Sequence, residues 1–571
     1  MERRYQLIVV AVAAIVYLSA IPAPPNLMDD VDAVQAQIAR NMLESGDWVT
    51  ARLNGVAYLE KSPLIYWLIA GSFAIFGVHD WAARLPLALG VVALAWVTAR
   101  FAAWAYGARA GLASGLAIAT CVGLWLFTRI QIPDALLTLA IAIALWGWLR
   151  ALEGERRWAY FAWAAIGAGL LLKALIATLF PVASLTIYLA VSGEWRKWRS
   201  LRPFTGLALT LAIAAPWHIA AALANPPLWD FTMRSAPGEY HGFFWFYFLN
   251  EHVFRFLNMR YPRDYNTVPR VLFWAFHLLW LFPWIGALAG VRIPAGTRAR
   301  RVTILAFCWI GFVLAFFTLS TTQEYYSMPT YPAFALLIGL GVSRGHTLGL
   351  RVAGGVFALA GLVIAFLLAS VWNTPAPGDI AQALTSNPDA YTLSLGHMGD
   401  LTIQSFAYLK LPLFVSLIAC AVGALATRYA PITPLTIAMA IFLHAARLAL
   451  IAFDPYLGSR ELADAYRAAP PGELIVDNQY YTFSSVFFYA NVERVWLLNG
   501  RKTNLEYGSY APGAPPVFID DARFEEMWRE PKRYYVLIEK PELARIQKLA
   551  GGRENLILEK ASGGKFLFKN R

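Results

Sequence analysis

Thirteen stretches of this chain are apolar over roughly the length needed to cross a lipid bilayer, and that pattern decides the fold class. A hydrocarbon core of about 30 Å takes about 17–25 helical residues. Such windows lie near 5–21, 84–105, 109–127, 134–151, 158–174, 175–192, 204–223, 270–290, 302–320, 330–343, 352–371, 406–427 and 432–452. In lipid every backbone polar group must be satisfied within its own segment, so these windows read as helices. The composition agrees. The chain is 58% hydrophobic and 15% charged, against about 45–50% and about 25% in soluble domains.

The loops orient the helices. With the N-terminus cytoplasmic, alternate loops should be rich in Lys and Arg. "EGERRW" stands before the fifth window, "GEWRKWRSLRP" before the seventh, "RIPAGTRARR" before the ninth and "SRGHTLGLR" before the eleventh. The opposite loops carry acids and aromatics. An odd number of spans then places the tail, 453–571, in the periplasm and the chain in an inner membrane. Arg3 and Arg4 precede the first apolar run as in a signal peptide, but no small-residue cleavage site follows, so it reads as an uncleaved helix. The net charge of +12 is accounted for by cytoplasmic loops and anionic headgroups. It forms no basic, aromatic-interleaved face of the kind nucleic acid needs. Cys121, Cys308 and Cys420 lie in apolar runs and have neither disulfide nor metal spacing.

Residues 1–452 therefore form the membrane region, with long non-cytoplasmic loops at 22–83 and 225–269. In the first, "VDAVQAQIARNML" sets Val31, Val34, Ile38 and Met42 at helical spacing. The second is dense in aromatics, as a segment lying in the membrane interface would be. The tail changes character. "ELIVD", "SVFFYA", "RVWLLN", "PVFID", "YYVLIE" and "KFLFK" read as strands of a small soluble α/β domain.

The acids point to chemistry. Asp29, Asp30 and Asp32 follow the first window, and Asp134 opens the fourth. The topology puts both sets at the same end. A carboxylate near the apolar slab is costly and tends to face a cavity, although a helix cap alone would explain Asp134. Lys61, Arg84 and Arg255 are cations on the outer side, against the topological bias, and a lipid-linked phosphate is a local reason for them. Tyr58, Tyr325 and Tyr326 are placed to line a cavity, or else belong to the aromatic belt. Glu60 and His252 could share a divalent metal, though a lone Glu–His pair more often marks an ordinary hydrogen-bonded histidine.

Taken in order, "MDD", "ARNMLESGDW", "YLEKSPLIYW", "AARLP", "IPDALL", "EHVFRF" and "YYSMPTYPAFALL" resemble the GT-C type polyprenyl-phosphate-dependent glycosyltransferases. This is the protein O-mannosyltransferase superfamily, glycosyltransferase family 39, and within it the bacterial lipid A aminoarabinose transferases. The resemblance implies a GT-C fold with a terminal periplasmic domain and an inverting transfer of sugar from a polyprenyl-phosphate (undecaprenyl-phosphate) donor. The acceptor would be lipid A or another cell-envelope glycan, or a protein as in the O-mannosyltransferases. It implies Asp29 or Asp30 as the catalytic carboxylate, Asp134 as a second acid, and Lys61 and Arg255 on the donor phosphate. No cofactor is required. Ser62 stands where the family has a second proline, and Gln323–Glu324 stand where a basic residue often precedes the tyrosines. A flippase is the competing class, but it calls for midplane acids in two repeated halves. Here the acids sit at helix ends and no repeat appears. An assembly protein with a partner-binding tail is the third reading.

Overall fold

The computed structural model describes residues 1–19, 21–263, 267–385, 399–492 and 494–571. Residues 264–266 of the 225–269 loop and residue 493 of the tail thus lie outside the described residues. Helix is found within each of the thirteen apolar windows. Among the described residues seven helices are long and apolar enough to cross a membrane: Asp80–Tyr106, Asp134–Leu152, Pro203–Ala224, Thr297–Leu319, Leu348–Val371, Gln404–Thr427 and Ile432–Leu457. Others, such as Trp158–Lys173 and Ile176–Ser192, are shorter. The eighth window is broken into Arg270–Ala275, His277–Trp280 and a single turn at Ile285–Gly290. Pro283, which has no N–H to donate, falls in the gap.

Asp134–Leu152 is the central helix, with most of its apolar surface enclosed, whereas Pro203–Ala224 and Leu348–Val371 are mostly uncovered. Leu207, Leu211, Val352, Leu359, Leu362 and Phe366 face outward, a surface that suits lipid rather than water. Small residues let the inner helices close. A Cβ on Gly111 would stand 2.6 Å from the Ala103 Cβ, and one on Gly115 would stand 2.7 Å from the Ala99 Cβ. Spaced four apart, the two glycines bring helix Ala108–Thr120 against Asp80–Tyr106 at the close range typical of membrane helix pairs.

The 22–83 loop is a folded layer. Helix Val31–Ser45 buries Val34, Ile38 and Met42, as its spacing predicts, and stops at Gly46, whose φ of 74° suits glycine. A hairpin follows, β1 (Arg52–Leu53) and β2 (Val56–Ala57), turned by Asn54–Gly55, both at positive φ. Helix Leu64–Phe76 completes the layer. Its apolar run is too short to register as a span. In the second long loop, Trp245–Phe254 winds as a wide, π-type helix, an unusual geometry often found at functional sites.

The tail holds a six-stranded sheet. Its strands are β3 (Glu473–Asp477), β4 (Trp496–Leu498), β5 (Phe518–Ile519), β6 (Tyr534–Glu539), β7 (Ile557–Ser562) and β8 (Lys565–Lys569). They are ordered β5-β4-β3-β6-β8-β7, the first four parallel and β8 antiparallel to both its neighbours. One sequence expectation is corrected. "SVFFYA" is not a strand but part of helix Ser484–Ala490, with Val486, Phe487 and Phe488 all buried. Burial on every side removes the alternation that separates strand from helix in a short apolar run. Strand β7 carries no apolar run because it is an edge strand, with Ile557 and Leu558 exposed. The sheet is bolted to the first loop. The side chain of Asn54 exchanges two 2.9 Å hydrogen bonds with the backbone of Val495.

Candidate active site

A cavity of about 410 Å³ opens where the two long loops meet the membrane helices. Its polar wall comes from four places. The turn before helix Leu64–Phe76 supplies Glu60, Lys61 and Ser62, and the first residue of helix Asp134–Leu152 supplies Asp134. Lys173 ends helix Trp158–Lys173, and the wide helix brings Tyr247, Glu251 and His252, with Arg255 just after it. Opposite lie Tyr325 and Tyr326, while Leu175, Leu179, Leu257, Phe316 and Phe317 form an apolar flank.

The charges are layered. Glu60, Asp134 and Glu251 are almost sealed, their side chains 3%, 3% and 4% exposed, while their partners Lys61, Lys173 and Arg255 remain 28%, 22% and 19% open. Lys173 Nζ lies 2.6 Å from Asp134 Oδ1 and 5.2 Å from the ring centres of both Tyr325 and Tyr326. Asp134 Oδ2 is buried and has no hydrogen-bond partner among the described residues. Arg255 donates to Glu251 at 2.8 Å. Behind it the buried Arg260 binds both acids, donating to Glu251 Oε1 and, at 3.0 Å, to Glu60 Oε1. Burial pushes the Glu251 carboxyl up, but Arg260 and then Arg255 overcome this and hold it well below the usual carboxylate range. A ligand entering the cavity therefore meets cations first, each fixed by a carboxylate behind it.

Glu60 Oε2 also accepts from the Tyr58 hydroxyl and from Asn504 Nδ2, both at 3.1 Å. The Tyr481 hydroxyl in turn donates to Tyr58 at 3.0 Å. Burial holds both phenols well above their ordinary pKa, so they stay protonated donors. Burial also lowers His252, which is neutral near pH 7, and its Nδ1 lies 2.5 Å from the Tyr247 carbonyl. Among the described residues no group of three or more His, Cys, Asp or Glu could hold a metal ion. Glu60 and His252 share the cavity, but both oxygens of Glu60 are engaged by other groups.

The structure separates the aspartates that follow the first helix. Asp29 turns to the tail, 2.6 Å from Lys565 Nζ, and accepts from Ser459 Oγ at 2.5 Å and the Ser485 amide at 2.9 Å. Asp32 is buried 3.3 Å from Arg84. Burial raises its carboxyl despite that arginine. None of Asp29, Asp30, Asp32, Tyr58 and Arg84 lines the cavity, against the expectation from sequence: Asp29 and Asp32 are turned to Lys565 and Arg84, and Tyr58 stands behind Glu60. Asp30 is exposed at the head of helix Val31–Ser45, with φ 69° and ψ −144°. A non-glycine residue at those angles is strained by about 1–3 kcal/mol. Its amide donates to the Tyr481 carbonyl at 2.9 Å. Tyr481, Tyr58 and Glu60 thus run from Asp30 to the cavity wall.

Sequence reading missed Lys173, Glu251 and Arg260. Lys173 carried a signal, since a lone lysine in an apolar run is rarely idle. Glu251 sits inside "EHVFRF", where attention fell on its neighbours. Asn504 and Tyr481 come from the distant tail and have no local signal.

A family model described as dolichyl-phosphate-mannose-protein mannosyltransferase matches residues 60–219, which include Glu60, Lys61, Asp134 and Lys173. Among similar curated proteins is the undecaprenyl phosphate-alpha-4-amino-4-deoxy-L-arabinose arabinosyl transferase 1 of Sodalis glossinidius. It is 29% identical over 59% of this chain and 58% of its own length. The corresponding transferase of Pseudomonas aeruginosa (strain PAO1) is 30% identical over 56% of each chain. The matches span less than two thirds of those relatives. Among solved structures, ArnT from Cupriavidus metallidurans bound to undecaprenyl phosphate superposes with a TM-score of 0.76 at 22% identity, covering 100% of this chain and 99% of that one. Its apo state gives 0.71. This chain has that fold, and the resemblance drawn from its motifs holds.

Proposed function

We propose that this chain is an inverting membrane glycosyltransferase that moves a sugar from a polyprenyl-phosphate donor to an envelope lipid or glycan. One observation carries the reading: three partly open cations, each backed by a sealed carboxylate, line a cavity with an apolar flank. A polyprenyl phosphate has the matching parts, an anionic head and a hydrocarbon tail. The relatives named above are transferases of undecaprenyl-phosphate-linked aminoarabinose, which supports that donor class. The loop charges support an N-terminus in the cytoplasm and the cavity and tail in the periplasm.

In this reading Lys61 and Arg255 hold the donor phosphate and Lys173 faces the same space. As the acceptor oxygen attacks the anomeric carbon, the bond from that carbon to the phosphate oxygen breaks and negative charge grows on the departing polyprenyl phosphate. Cations fixed there beforehand stabilise the transition state more than the bound donor. Few waters in an enclosed cavity make them more effective. A hydroxyl acceptor gives its proton to a carboxylate, and an ionised phosphate acceptor needs no base. Asp30 is the better candidate for that carboxylate, because Asp29 is committed to Lys565. Asp30 stands outside the lining, joined to it through Tyr481, Tyr58 and Glu60, so an acceptor would have to reach the rim of the cavity to meet it. Asp134 Oδ2 is the second acceptor, oriented by Lys173. Lipid A is the acceptor that the motif resemblance implies.

The test is transfer of labelled sugar from polyprenyl-phosphate donor by purified protein in proteoliposomes, beside mass analysis of lipid A and envelope glycans from a deletion strain. Transfer that survives Asp30→Asn and Asp134→Asn together would end this reading.

A further inference from the structure

A second, smaller cavity lies at the same end of the bundle, and three arginines line it: Arg84, Arg129 and Arg447. They come from separate parts of the chain. Arg84 belongs to helix Asp80–Tyr106, Arg129 to the turn before Asp134, and Arg447 to helix Ile432–Leu457. Arg129 and Arg447 are held in place by groups that leave their charge uncancelled, and Arg84 is held by two carbonyls and one carboxylate. Arg84 donates to the carbonyls of Pro25 and Asn26 at 2.6 and 2.7 Å. Arg447 donates to the Pro24 carbonyl at 2.5 Å. Arg129 lies over the Trp125 ring at 4.7 Å and donates to the Trp125 carbonyl at 3.3 Å. Among the described residues one carboxylate answers the three guanidiniums, Asp32, at 3.3 Å from Arg84. Asp454, on the same helix as Arg447, is hydrogen-bonded to Asn26 and also attracts Arg84 at longer range. The cluster therefore keeps a net positive charge, carried by Arg129 and Arg447, beside an apolar wall of Ile21, Leu87 and Ala88.

Uncancelled charge at membrane level is costly unless something binds there, and the guanidinium fork matches phosphate oxygens. The room, about 30 Å³, suits part of a headgroup and is far smaller than the cavity described above. We propose that Arg84, Arg129 and Arg447 form a binding site for the phosphate of an anionic membrane lipid, separate from the catalytic cavity. The site serves to seat the protein's outer rim, and it stands whether or not the chain transfers sugar.

The test is native mass spectrometry of the full chain in detergent, titrated with phosphatidylglycerol, phosphatidylcholine or inorganic phosphate. Arg129→Gln/Arg447→Gln is compared with wild type. Wild type should retain phosphatidylglycerol in preference to phosphatidylcholine. The double variant should lose about fivefold in that preference for each arginine removed, about 25-fold in all, while binding polyprenyl phosphate unchanged. If inorganic phosphate at millimolar concentration displaces the lipid, the site reads the phosphate group alone; if it does not, the glycerol backbone or chains contribute. Equal retention of phosphatidylglycerol by both proteins would overturn the proposal. Should the double variant fail to fold, Arg447→Gln alone supplies the comparison, because that residue is partly exposed and its one hydrogen bond is to a carbonyl. An unchanged preference in that variant, together with no lipid preference in wild type, would also overturn it.

Discussion

Neutralising the Asp29–Lys565 pair tests whether Asp29 is a structural residue and leaves Asp30 as the proposed base. Both side chains are 9% exposed and 2.6 Å apart. Among the described residues Lys565 also donates to the Gly458 carbonyl and Ser459 Oγ, each at 3.3 Å, and Glu539, its register partner on β6, adds a more distant carboxylate. Removing one partner from so enclosed a pair leaves a stranded charge and costs about 3–5 kcal/mol. Removing both is far milder, since neutral replacements of a buried pair are often close to neutral. The amide side chain introduced by Asp29→Asn would still accept from the Ser485 amide and donate to Ser459 Oγ. Asp29→Asn and Lys565→Met should therefore each lose about 3 kcal/mol locally, and the double variant about 1 kcal/mol or less. Hydrogen exchange in β8 reads this directly, because about 3 kcal/mol is a change of more than a hundredfold in the opening constant. The double variant should transfer sugar near the wild-type rate, whereas Asp30→Asn should stay folded and lose transfer. A double variant that is folded but inactive would refute the reasoning and return Asp29 to the chemistry. Additive losses in the two single variants would show that the pair is not a clasp.

Asp30→Gly should relieve the strained backbone, raising stability by about 1–3 kcal/mol, and abolish transfer; thermal unfolding and the transfer assay run on one preparation check both. Lys61→Ala and Arg255→Ala should each lower kcat/KM by about 10²–10³, with most of the loss in kcat; a loss confined to KM would mean that they bind donor and transition state equally. Glu251 is held below its unfolded pKa, so its stabilising effect is complete above about pH 4.5 and disappears as the pH falls through its folded value. Unfolding curves from about pH 6 down to about pH 2 should be flatter for Glu251→Gln than for wild type, and identical slopes would count against the Arg260–Glu251–Arg255 arrangement.

The helices were legible because lipid imposes one rule on every span, and that rule is written as length and hydropathy. Lys61, Arg255, Tyr325, Tyr326 and Asp134 were singled out by sequence, and all five line the cavity. What local sequence could not reveal was direction. Asp29 and Asp30 are adjacent and identical in type, yet one faces β8 and the other faces Tyr481, because a positive φ at Asp30 swings the chain between them. Arg84 is similar: its position at a helix start is visible, but its commitment to Asp32 and two carbonyls depends on how the first loop folds over it. Helix Ser484–Ala490 failed as a strand for a related reason, since burial on all sides erases periodicity. The roles of Asn504 and Tyr481 belong wholly to tertiary structure.

The clasp between Asp29 and Lys565 also sets a clock. The two residues are 536 positions apart, and chains are made at about 5–20 residues per second, so roughly 25–110 s separate their synthesis. Throughout that interval the first loop has no lysine to tie it down, and Asn504 and Tyr481, which brace Glu60, arrive only shortly before. The brace behind Glu60 is thus finished late, by the tail, and an unfinished chain lacks the groups that hold that carboxylate from behind.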